Sequence, residues 1–296
     1  LPIADRSADH ALQARVRRAL TQLQGWTCPP AVAREHGNAA HAHALASGDR
    51  SLTWSTHWAL AVLEGLAGNA DAVETHLRQA EQLALELRSP LMQVQTAEIA
   101  IEHASGIGAW NEGIAVAERA IPIARAIAAD TLLPRLLVWT GLIRLARDEL
   151  EAGRLLLEEA WRLSRADDVD LATREGRTPL TGEIHTAILA HTGMAAYWLS
   201  VGECQRALDV GQRGLAIADR YGYVIWTIHR LLPIVIEAGL WLQQYVLVRQ
   251  MTERLRDQSR LLSHRLGMAW AAAAEALRLR FEEQNPAAVP ALLTAA

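Results

Sequence analysis

Apolar residues recur along this chain at the spacing of an α-helix. Val73, Leu77, Ala80, Ala84 and Leu87 follow one another at steps of four, three, four and three, which places them on one helical face. Leu12, Val16, Leu20 and Leu23 do the same near the start, and Tyr245, Val248, Met251 and Leu255 near the end. No segment alternates with the period of two that a half-buried strand requires. Ala, Leu, Arg and Glu fill the periodic segments, and all four favour helix. The pattern predicts an all-α protein.

The helices pair. Gly68-Asn69, Gly108 and Asp148 stand 40 residues apart, each between two periodic segments, where a tight helical hairpin turns. Ala40, Ala80, Ala120 and Ala160 share that spacing, and Ala33, Val73, Gly113 and Gly153 precede them by seven residues. Small residues in register are what a close helix crossing needs, and a period of this length marks a helical-hairpin array. After Ala160 the register slips. Gly214 is the next equivalent, with Ala207 before it and a turn at Val201-Gly202-Glu203, so about 14 residues are inserted. They fall on a polar stretch, expected to be a loop, across residues 167–177. A further turn is expected at Gly239, and kinks or early helix ends at Pro122 and Pro233. Ser89-Pro90 and Thr178-Pro179 each set a capping hydroxyl before a proline, as at a helix start. Asn285-Pro286 is read as opening a final helix to Ala296.

The expected architecture is a right-handed α-solenoid of antiparallel hairpins forming one domain over residues 1–296. The hairpins fall at 9–47, 51–88, 91–128, 131–166, 178–221, 223–259 and 261–296. Leu1-Pro2-Ile3 offers no initiator Met and no signal-peptide core, so the chain reads as a piece of a longer protein.

Gly193-Met194-Ala195-Ala196-Tyr197-Trp198-Leu199-Ser200-Val201-Gly202 with Ala207 resembles a tetratricopeptide repeat. Ala195, Trp198, Gly202 and Ala207 stand at its small, aromatic, turn and small positions. Gly141, Asp148, Gly153 and Ala160 match one repeat earlier. The spacing is longer than the usual 34 residues of that repeat, and no proline closes it. The longer period with Ala- and Arg-rich helices is similar to the sensor tails of MalT/LuxR-type activators and of cyclase- or kinase-fused bacterial signalling ATPases. That resemblance implies a cytoplasmic, non-catalytic regulatory scaffold that binds a protein, a peptide or domains of its parent. A receptor holding a small-molecule effector in the concave groove is the alternative.

Composition narrows the chemistry. All 29 basic residues are Arg. A P-loop lysine and a Schiff-base lysine are therefore both excluded. A net charge of -4 does not suit a general nucleic-acid surface. The longest apolar run, Leu231 to Leu242, is too short to span a bilayer. Cys28 and Cys204 match no metal or disulfide pattern, and Cys204 reads as a buried structural thiol. Glu35, His36, His41 and His43 lack metal-ligand spacing, Gly106-Ile107-Gly108 reads as a turn, and His185 and His191 near Glu183 lack an orienting third group. No metal, cofactor or catalytic residue is expected.

Trp139, Trp161, Trp198, Trp241 and Trp270 are expected to pack between helices. The repeat phase assigns Trp58, Gln95, Glu98, Glu102, Arg135, Thr192, Trp226 and His229 to first-helix positions facing the groove. Such surfaces draw binding energy from aromatics and arginine. Asp167, Asp168, Asp170, Arg174 and Arg177 form the candidate gating loop.

Overall fold

The computed structural model describes residues 8–25, 28–179, 182–223 and 228–283. Among them are fourteen helices and no strand. Two compact units emerge, Leu1–Leu132 with Leu261–Ser263, and Leu133–Arg260 with His264–Ala296.

The first unit contains α1 (His10–Gly25), α2 (Pro30–Ser47), α3 (Arg50–Ala67), α4 (Ala70–Glu86), α5 (Pro90–Ile107) and α6 (Trp110–Ala126). Each helix packs on the next, and the first helices of successive hairpins also meet, α1 with α3 and α3 with α5. Local chemistry sets the ends. Asp49 caps α3 by accepting from the Leu52 amide at 3.0 Å, and Ser89 caps α5 with Pro90 in its first turn. Gly68 and Gly108 close α3 and α5 at φ of 74° and 80°, a region that favours glycine.

The second unit contains α7 (Leu132–Ala146), α8 (Leu150–Ser164), α9 (Ala166–Arg174), α10 (Ile184–Ser200), α11 (Cys204–Tyr221), α12 (Ile228–Trp241), α13 (Tyr245–Leu261) and α14 (Arg265–Glu282). Helix α10 is central, packing on α8, α9, α11 and α12. Its sequence is apolar nearly all round, and its residues from His185 to Ala195 are buried.

The in-register small residues lie at the crossings. Ala33, Ala40, Val73, Ala80, Gly113, Ala120, Gly153, Ala160, Ala207 and Gly214 are all buried. The α7–α8 contact shows why. A Cβ built on Gly153 would stand 3.2 Å from the Gly141 carbonyl oxygen, and one on Gly141 would stand 2.7 Å from Leu157 Cγ. Backbone meets backbone there, and a methyl group has no room.

Several expectations need correction. Gly239 lies within α12, and the turn comes four residues later at Gln243, with φ of 56°. Gly239 is small because α13 crosses it, a Cβ there meeting Val248 at 3.0 Å. Helices α6 and α12 run through Pro122 and Pro233. Pro122 faces outward, where solvent can serve the carbonyl left without a partner. Thr178-Pro179 precedes no helix directly, and Glu183 caps α10 instead. The segment after Ala160 is not a loop throughout, because α9 occupies most of it. Non-glycine residues also take left-handed φ at helix ends, including Arg88, Ala128, Asp148, Arg165 and Ser263. The expected final helix lies outside the described residues.

Gly141→Ala should overpack the α7–α8 crossing and cost about 1–3 kcal/mol. Gly65→Ala, where an added Cβ meets nothing nearer than Val73 at 3.9 Å, should stabilise by about 0.5–1 kcal/mol through helix propensity. Urea midpoints of the two variants measure this. Equal midpoints would contradict the close approach.

Candidate functional site

In the first unit, α3 and α5 are joined by two tryptophans. Trp54 Nε1 donates to Thr96 Oγ1 at 3.1 Å, and Trp58 Nε1 donates to the Gln95 carbonyl oxygen at 3.1 Å. Both rings pack with Ala80 and Ala84 of α4. Trp58 and Gln95, both assigned to the groove, are half-buried and engaged with each other. Glu98 is buried at 1% exposure, and Glu102, one turn on, is half-buried. A smaller cavity of about 220 Å³ opens beside α5 against α4 and α6, with Glu81 and Arg119 on its wall.

In the second unit, Arg135 turns toward the start of α10. It donates to Glu183 at 3.0 Å and to Thr186 at 3.1 Å. Glu183 also accepts from the Thr186 amide at 2.9 Å. Burial alone would raise the Glu183 pKa, but the Arg135 charge and these hydrogen bonds outweigh it and hold the group well below the ordinary carboxylate range. His185, buried and close to Arg135, is held well below the usual imidazole range, mainly by burial. Its ring stacks on Tyr223 with 6.2 Å between centres. Thr192 does not join this group. It is buried, and its hydroxyl donates to the Ile188 carbonyl at 3.0 Å. Trp226 and the His229 side chain lie outside the described residues.

The candidate gate proves to be an anchored helix. Asp170 on α9 is buried and meets Arg174 at 3.1 Å and Arg213 of α11 at 3.3 Å. Asp167 accepts from Trp161 Nε1 at 2.8 Å, Asp168 faces Arg165 at 3.7 Å, and Arg177 pairs with Glu175. Sequence reasoning saw only the charges; Val169 and Ala172, both buried, are the apolar stripe that fixes the helix.

The histidines gather more than their spacing suggests. His41 of α2 lies against His57 of α3, with 4.4 Å between ring centres, and His57 Nδ1 is 3.1 Å from His76 Nδ1 of α4. His43 meets His10 at 3.0 Å. Burial and the neighbouring imidazoles depress His57 to about 4. Among the described residues no group of three or more His, Cys, Asp or Glu is arranged to hold a metal ion. Neither Cys28 nor Cys204 forms a disulfide, and Cys204 is half-buried at the start of α11 rather than fully enclosed.

The largest departure concerns tryptophan. Trp139 is buried under Arg230, whose guanidinium carbon is 4.5 Å from the ring centre. Trp241 and Trp270, expected to be packed, are 71% and 48% exposed. With Tyr245 and Phe281 they line a cavity of about 460 Å³ between α12 and α14. The sequence placed the turn at Gly239, two residues before Trp241, and so gave no sign that this ring ends α12; that Phe281 is the only Phe of the chain was legible.

No family model and no curated protein matches the chain. Solved structures do. The chain is similar to a Rap protein complexed with Competence and Sporulation Factor, at 10% identity and a TM-score of 0.69 over 96% of this chain and 74% of that one. It is similar to aspartyl phosphate phosphatase F from Bacillus subtilis, at 13% identity and 0.65 over 99% and 72%. The apo form of RapI follows at 12% and 0.54, over 98% and 76%. These likenesses establish the shared helical-repeat fold. No helix among the described residues is long and apolar enough to cross a membrane.

The buried histidines set a pH dependence. In the unfolded chain they titrate near 6.5, whereas His57 and His191 do so near about 4 when folded, burial being the main cause in both. The unfolded state therefore binds protons first, and stability should fall as pH drops below about 6.5 toward 4. Urea midpoints at pH 7.5 and pH 5 test this. His191, wholly buried against Trp161, should contribute on the order of 2 kcal/mol to the loss. His191→Leu should flatten the profile by that share.

Proposed function

We propose that this protein is a regulatory scaffold that binds a polypeptide along the first helices of its hairpins, without chemistry of its own. The observation that carries this is the fold, shared across 96% of the chain with a Rap protein solved in complex with Competence and Sporulation Factor. The local geometry favours the same role. Helices α3 and α5 are fixed side by side by the Trp54 and Trp58 hydrogen bonds, and a surface that does not rearrange loses little entropy on binding. Glu102 and Gln95 stand on that platform, with Arg135 as the corresponding group of the second unit. A parent signalling ATPase remains the context suggested by the Ala- and Arg-rich repeats.

Peptides selected from a display library against the full chain provide the test. Glu102→Gln and Gln95→Ala should each weaken the selected peptides by about 1–2 kcal/mol in calorimetry. Loss on Glu81→Ala or Arg119→Ala, with the first-helix variants normal, would place binding on α4 and α6 and overturn the assignment. The lifetime of an aspartyl phosphate on a receiver domain should be unchanged by the chain; a shortened lifetime would make it a phosphatase.

A further inference from the structure

The cavity between α12 and α14 combines two features that do not follow from helix packing. Its wall carries four aromatic rings, those of Trp241, Tyr245, Trp270 and Phe281, and three of these residues are largely exposed. Its one ionisable acid is Glu237, on α12. Burying exposed Trp and Phe is worth more per residue than burying any other side chains. Leaving three of them open at one place is therefore a standing cost that a bound molecule would remove.

Charge sets which molecule fits. Glu237 has no hydrogen bond or ion pair among the described residues. No arginine lines the cavity, and two on the adjoining helices are turned to other acids. Arg278 of α14 meets Glu275 at 2.8 Å and also pairs with Glu282, and Arg249 of α13 meets Glu282 at 3.2 Å. The cavity thus presents four aromatic side chains and one carboxylate without a partner among the described residues. Aromatic faces attract cations through their quadrupole, and several rings around one point form the cage that holds quaternary ammonium groups. An anion would meet repulsion from both the rings and the carboxylate. A neutral apolar molecule would gain the burial and leave Glu237 without a partner.

We propose that this cavity is a binding site for a small lipophilic cation, an alkyl- or aryl-substituted ammonium. The rings enclose its cationic head and apolar body, and Glu237 supplies the counter-charge. The volume, about 460 Å³, lies in the range of small-molecule sites. None of the residues that line it is among those proposed to bind polypeptide, so its test reads a different set of variants.

Three probes with one alkyl chain test the assignment on the full chain by calorimetry and ligand-observed NMR: hexyltrimethylammonium, hexyldimethylamine oxide and hexanesulfonate. The ammonium should bind about tenfold more tightly than the net-neutral oxide, and the sulfonate should not bind. Glu237→Gln changes an exposed side chain and leaves the helices intact, as circular dichroism would verify. It should lower the ammonium affinity several-fold, toward but not to that of the oxide, and leave the oxide unchanged. Trp270→Ala should weaken both. Equal binding of all three head groups, or an ammonium affinity indifferent to Glu237→Gln, would show an apolar patch suited to covering by polypeptide and would overturn the cation site. Failure of the ammonium to bind at all would overturn it as well.

Discussion

The close crossing of helices at small residues is the constraint on which the rest depends. Where Gly141 passes Gly153, no side chain separates the two helices, and Leu157 and Leu145 close over the contact. Between hairpins, side chains fill the space that glycine leaves: a Cβ on Gly193 of α10 would stand 2.5 Å from Leu157 Cδ2 of α8, and one on Gly211 of α11 2.5 Å from Val235 Cγ2 of α12. Once helices are this close, their spacing is fixed by hard contacts rather than by soft side chains. The first helices are held in turn, and the surfaces they present are positioned without any bound partner.

That constraint explains what the sequence revealed. Positions where only small residues fit recur at a fixed interval, so Ala80, Ala120 and Ala160 mark the hairpins even though no family model matches. Glycine was less informative at Gly239, because a crossing and a turn both select it. The segment beyond Ala160 misled for another reason. Its charges outnumber its apolar residues, and the two that matter, Val169 and Ala172, are visible only once a surface exists for them to meet. Tertiary packing thus decided a helix that composition favoured as a loop.

The binding surface was less legible than the fold. First-helix positions could be counted, but counting does not say whether a side chain serves the solvent or the neighbouring helix. Trp58 and Arg135 have partners 37 and 48 residues away, Gln95 and Glu183. Those bonds convert them into struts between repeats. Trp241 and Trp270 err in the opposite direction. Helical spacing gives them a face, but the face belongs to a cavity. The histidines of α2, α3 and α4 likewise come together only through the stacking of three helices.

The left-handed residues at the helix ends have a different bearing. Arg88, Ala128, Arg165, Gln243 and Ser263 take φ between 48° and 56°, a region that disfavours an L side chain by about 1–2 kcal/mol. Glycine does the same job at Gly48, Gly68 and Gly108 without that penalty. The chain therefore carries unused thermal reserve at its corners, away from the helix crossings, the first-helix platform and most of the aromatic cavity. Evolution, or a designer, has places to harden this scaffold that need not alter what it recognises, and mutations that weaken the protein while changing its specificity have somewhere to be offset.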